Sequence, residues 1–174
     1  MGPRLGARAK LGDRQAGIAE YCEAMKLWAD QGHRTLGPIH RAYLAELAVE
    51  DENSDAAAQI EEALALAQQT GEHWTDALLH RIRGDILLKI HPGDPAPAEQ
   101  AYLAAIAVAQ QQGARSFGLQ AALKLAKLYQ STGRPVEAHD ILAPALEGFS
   151  PTPEMPEIAE ALALHKAVAG RSHS

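Results

Sequence analysis

Cysteine occurs once in the 174 residues, at Cys22. A lone thiol excludes an internal disulfide framework and any multi-thiolate zinc site. It also fits a reducing compartment, so a cytoplasmic location is expected. Aromatic residues are scarce, 5% against 47% hydrophobic overall, so the apolar content is largely Ala and Leu, both good helix formers. Basic residues are outnumbered, 16 to 22, for a formal charge of −6, and the basic stripe that nucleic acid demands is missing. No apolar run approaches the roughly 18 residues of a membrane span. The start, "MGPRLGARAKLGD", is basic but lacks the apolar stretch of a signal peptide. Neither a nucleic-acid nor a membrane partner is therefore expected. No useful stretch alternates with period two, so strands are not expected either.

What is present is repetition. "AMKLWADQGHRT" (24–35), "ALALAQQTGEHW" (63–74) and "AIAVAQQQGARS" (105–116) restate one pattern. Aligning Gly32, Gly71 and Gly113 gives intervals of 39 and 42 residues. That register superposes Ala24 on Ala63 and Ala105, and Met25 on Leu64 and Ile106. Four residues earlier, it brings Tyr21, Ile60 and Tyr102 together. A fourth copy without its glycine places Ala138, Leu142, Ala145 and Leu146 on Ala98, Tyr102, Ala105 and Ile106. Spacings of three and four make each set one helical stripe. The following glycine can end the helix because it adopts the left-handed conformation at little cost.

A second set of stripes lies between these helices: Ile39, Ala42, Tyr43, Leu47 and Val49; Leu78, Leu79, Ile82, Ile86 and Leu87; Leu119, Ala122, Leu125, Ala126 and Tyr129. A small residue recurs in them at Ala45, Gly84 and Ala126, where a neighbouring helix can approach closely. The segments "EDENSD", "HPGDPAP", "STGRP" and "FSPTPEMPE" are turns, with Pro95 and Pro135 suited to a first helical turn. Eight helices are predicted, at 14–31, 35–50, 54–70, 74–91, 96–112, 115–131, 135–148 and 154–168. The expected organisation is an irregular segment at 1–13, one repeat domain at 14–168 and a disordered tail at 169–174.

A helix pair of this size cannot bury its own apolar stripe, whereas stacked pairs bury it between neighbours as a solenoid. Alanines such as Ala63 and Ala105 allow axes to approach to about 8 Å. The pattern resembles the tetratricopeptide repeat (TPR), whose usual period is about 34 residues. HEAT-type pairs have a comparable period and remain an alternative. The expected fold is thus all-α, a TPR-like α-α superhelix of about eight antiparallel helices. More specifically, "LHRIRGDILL", "QQQGARSFGLQAALKLAKLY" and "DILAP" resemble the C-terminal TPR region of large bacterial regulators. Those proteins carry a nucleotide-cyclase or winged-helix output domain, then an AAA/STAND-type ATPase, then such repeats. The resemblance covers about residues 11–165 and implies a module that senses a ligand or partner and restrains an ATPase. The phosphate-binding GxxxxGK[ST] of such an ATPase has no counterpart here.

Candidate chemistry is thin. Of eight histidines, His33 and His40 are seven apart, as are His73 and His80, which places each pair about 10 Å apart along a helix. Zinc wants three or four ligands in one place and no HExxH occurs, so no metal and no cofactor is expected. Cys22, among Tyr21, Met25 and Trp28, reads as a buried structural thiol. Trp28 and Trp74 read as packing residues at unit junctions, and Glu61–Glu62 and Asp51–Glu52 as exposed charges.

The remaining candidate is a groove. Helix-A positions flanking the small residue line the concave face of a TPR array. By register these are Ile39, Ala42 and Glu46, then Leu78, Arg81 and Asp85, then Gln120, Leu123 and Lys127. Arg81 and Lys127 could take a carboxylate or another anion; the bland alternative is surface charge satisfied by Glu46 or Asp85. The expected partner-binding residues are Glu46, Leu78, Arg81, Asp85, Gln120 and Lys127. The expected function is a non-enzymatic scaffold binding a peptide or protein in that groove. The alternative is a ligand-sensing regulatory module acting with an ATPase or cyclase domain, or in a transcriptional system. A hydrolase or metalloenzyme is a third reading that no motif supports.

Overall fold

The computed structural model describes residues 14–30, 36–49, 55–152 and 155–170. Among them are eight α-helices: α1 (Arg14–Asp30), α2 (Gly37–Ala48), α3 (Ala56–Thr70), α4 (Asp76–Ile90), α5 (Ala96–Gln112), α6 (Arg115–Ser131), α7 (Pro135–Leu146) and α8 (Pro156–Ala169). Each expected helix is found, with ends displaced by no more than two residues. A 3-10 turn, His73–Thr75, precedes α4. No strand occurs among the described residues, only an isolated bridge between Thr152 and Met155. The segment 1–13, Gly32, His33, Asp51, Glu52, the end of the expected tail and the side chain of Trp28 lie outside what is described.

The helix ends follow local chemistry. Gly71 (φ 73°) and Gly113 (φ 64°) are both left-handed, where a Cβ would be strained and glycine is not. After α5, the Ala114 amide turns back to the Ala109 carbonyl at 2.9 Å and satisfies a terminal acceptor. Pro38, Pro135 and Pro156 occupy first turns, where no donor is lost. Pro95 stands just before α5.

The chain divides into two compact units, 1–73 and 74–174. In the first, α2 and α3 pack together through Ala42, Ala45, Ile60, Ala63 and Ala67, all essentially without exposure. The Tyr21 hydroxyl hydrogen-bonds His40 Nδ1, Arg41 pairs with Glu62, and the Glu72 carboxylate accepts from the Leu36 amide at 2.8 Å. That bond holds Leu36, whose φ of 72° is the one positive value among described non-glycine residues.

In the second unit each helix from α4 to α8 packs on the next, and α6 also touches both α4 and α8. Its core contains Tyr102, Leu119, Leu125, Leu142, Ile158 and Val168. Gly84 marks the tightest approach. A Cβ there would stand 2.6 Å from Cδ1 and 2.9 Å from Cζ of Tyr102, so the aromatic ring occupies the space a side chain would need. The recurring small position therefore does what its register implies, and Ala45 and Ala126 are likewise buried.

Two packing expectations fail. Cys22 is exposed rather than buried: one residue beyond Tyr21, it lies about 100° round the helix from the stripe. Trp74 is 53% exposed. It falls in the 3-10 turn, where helical periodicity does not hold, and Thr75 is the residue that turns inward.

Candidate interaction surface

The stripes that build the second core leave polar positions of α4, α6 and α8 beside one another. On α4, Arg81 Nη1 donates to Asp85 Oδ2 at 2.6 Å, one helical turn away. Asp85 Oδ1 accepts the Tyr102 hydroxyl of α5 at 2.7 Å and pairs with Lys124 Nζ of α6 at 3.1 Å. Arg81 and Asp85 are largely sequestered, 11% and 17% exposed, whereas Lys124 is 43% exposed. Burial, and after it the charge of Asp85, raises the Tyr102 phenol far above its ordinary value, so Tyr102 stays a hydrogen-bond donor.

Gln120, Lys124 and Lys127 follow at four and three residues and share one side of α6. Gln120 Nε2 donates to Glu157 Oε1 of α8 at 3.4 Å. Lys127 Nζ pairs with Glu160 of α8 at 2.6 Å. A chain of polar contacts therefore runs from α4 through α6 to α8. It includes Arg81, Asp85, Gln120 and Lys127, the positions taken from the repeat register. Lys124, Glu157 and Glu160 were missed. The register gave no sign of the two glutamates: steps of 39 or 42 residues from Gln120 and Lys127 fall on Ala159, Leu162, Lys166 and Ala169.

Leu78 behaves differently. It is 4% exposed and belongs to the core with Leu79 and Ile82, as does Leu123 on α6. An apolar side chain inside the stripe is consumed by packing before a partner can reach it. Glu46 is half-buried on α2, in the other compact unit.

A second polar knot holds α5, α6 and α7. Arg134 donates to both Glu99 oxygens, at 2.7 and 3.1 Å, pairs with Glu137, and lies over the Tyr129 ring, 4.1 Å from its centre. The Tyr129 hydroxyl donates to Glu99 at 2.9 Å. Hydrogen bonding from Arg134 holds the Glu99 carboxyl below its usual value. Burial, with Glu99 adding to it, pushes the Tyr129 phenol up to about 12. Such a bidentate clamp fixes the helices that carry it and leaves little donor capacity for a ligand.

The histidines of the described residues do not assemble a centre. His139 and His165 stack with ring centres 4.3 Å apart, and burial, then the neighbouring His139, lowers the His165 value. Among the described residues no three potential metal ligands gather, and no helix is long and apolar enough to cross a membrane.

No protein-family model, curated protein or solved structure matches this chain.

Proposed function

We propose that the chain is a non-enzymatic, TPR-like interaction scaffold that receives an extended peptide or protein segment across α4, α6 and α8. The observation carrying this reading is that alternate helices meet: α6 touches both α4 and α8, and their polar side chains join across those contacts. Stacked helix pairs place their first helices side by side in this way. The partner would compete for Lys124 and Lys127, both 43% exposed. Rim charges of this kind give specificity and association rate more than affinity.

The test is site-specific photo-crosslinking of the intact protein in its native extract. A crosslinker at Lys127 should trap one discrete partner, and Lys127→Glu should slow association of the purified partner about tenfold at low salt. Equal trapping from Gln111 on α5, with no effect of Lys127→Glu, would place the interaction elsewhere.

A regulatory module that senses a small ligand and restrains an ATPase or cyclase domain is the second reading. The sequence resemblance supports it, as does a hollow at the ends of α5–α7.

A further inference from the structure

The ends of α5, α6 and α7 surround a concavity separate from the polar surface. Its apolar walls include Ile106 and Ala109 of α5, Leu119 of α6, and Ile141 and Ala145 of α7, and its volume is about 170 Å³. Arg115, in the first turn of α6, lines the same hollow. Its guanidinium donates to the backbone carbonyl of Glu147 and lies 4.8 Å from the centre of the Phe149 ring. Among the described residues it has no carboxylate partner, whereas Arg41, Arg81 and Arg134 each have one. In a chain with 22 acidic and 16 basic residues, that difference sets Arg115 apart. A guanidinium has five N–H donors, and the carbonyl of Glu147 engages one of its nitrogens.

We propose that this hollow binds a small aliphatic monocarboxylate. The tail lies between Ile106, Leu119 and Ile141, and the carboxylate sits on Arg115. Both halves of the assignment follow from the lining. An apolar cavity of about 150 Å³ admits one benzene-sized guest, so this one suits a chain of about six carbons. The apolar walls disfavour a fully polar anion, which would lose hydration without replacement hydrogen bonds. A single guanidinium matches one carboxylate bidentately. A multiply charged anion would leave uncompensated charge on a protein whose formal net charge is already −6. The site is independent of the peptide reading and can fail or succeed without it.

The test is an amide chemical-shift titration of the intact protein with sodium hexanoate, using sodium acetate and hexanamide as comparators. Hexanoate should give saturable shifts centred on Ala109, Leu119 and Ala145. It should bind at least about tenfold tighter than acetate, which lacks the tail, and about tenfold tighter than neutral hexanamide. Arg115→Gln should remove the advantage over hexanamide, and Ala145→Phe should block both ligands. If Arg115→Gln disturbs the helix end, the comparison between hexanoate and hexanamide on the unaltered protein still decides. Absence of saturation, equal binding of hexanoate and hexanamide, or shifts centred on Gln120 and Lys127 would overturn the proposal.

Discussion

Arg81 and Arg115 stand at opposite extremes of what an arginine does in the second unit. Arg81 is 11% exposed and committed to Asp85, which also receives Tyr102 and Lys124. Arg115 is exposed and held by a backbone carbonyl and an aromatic ring. The first belongs to a closed knot that joins three helices. The second keeps its charge beside an apolar hollow. Availability for a ligand is therefore set by what the neighbouring helices bring to the guanidinium, not by residue type.

The strongest way to break this comparison is Asp85→Ala. It leaves the Arg81 cation and the Tyr102 hydroxyl without their acceptor in a largely sequestered place, and should cost about 3 kcal/mol in denaturant unfolding. Lys124, more than a third exposed, adds little to that figure. A loss below about 1 kcal/mol would show that the knot is a surface feature, no different from the setting of Arg115.

A smaller effect tests the packing beneath the knot. In Gly84→Ala, helix propensity gains about 1 kcal/mol, but the new Cβ collides with a buried ring, and overpacking costs about 1–3 kcal/mol. Net destabilisation of about 1 kcal/mol is expected. In a Tyr102→Leu background the same substitution should become neutral or stabilising. Failure of that reversal in thermal melts would mean that Tyr102 is not the obstacle.

Arg115→Ala should cost only about 0.5–1 kcal/mol, the usual value of an exposed cation–π contact. A loss approaching that of Asp85→Ala would make Arg115 structural and remove the contrast.

The smallest effects are in the pH dependence. His40 and His165 have lowered values, so their neutral forms favour the fold. Their contribution is complete above the unfolded value near 6.5 and declines as pH falls below it towards the folded values. Glu99, also lowered, contributes above the unfolded carboxylate value of about 4.5 and loses that contribution as pH falls through its folded value. Stability should therefore decline in two stages on acidification. His165→Phe should flatten the first, and Arg134→Ala the second. A second stage unchanged by Arg134→Ala would show that the clamp does not set the Glu99 value.

The helices were legible because their signals are local. Tyr21, Ile60 and Tyr102 recur in register and all three are buried. Gly71 and Gly113 end their helices for a reason contained in one residue. Cys22 and Trp74 were misread because burial depends on angle round the helix as well as on neighbours in sequence. The polar surface was half legible. The register reached Arg81, Asp85, Gln120 and Lys127, but gave no sign that Arg81 is already spent on Asp85 or that Glu157 and Glu160 answer from α8.

By itself the sequence determined the eight helices found among the described residues, their limits to within two residues, and the small positions where helices meet. These follow from periodicity, glycine and proline, which act within a few residues of where they stand. Only the tertiary structure decided which charges are spent and which are available. Asp85 collects donors from three helices, and Arg115 faces Glu147 from 32 residues away. Such pairings depend on how helices stack, a relation between distant segments that no local pattern encodes.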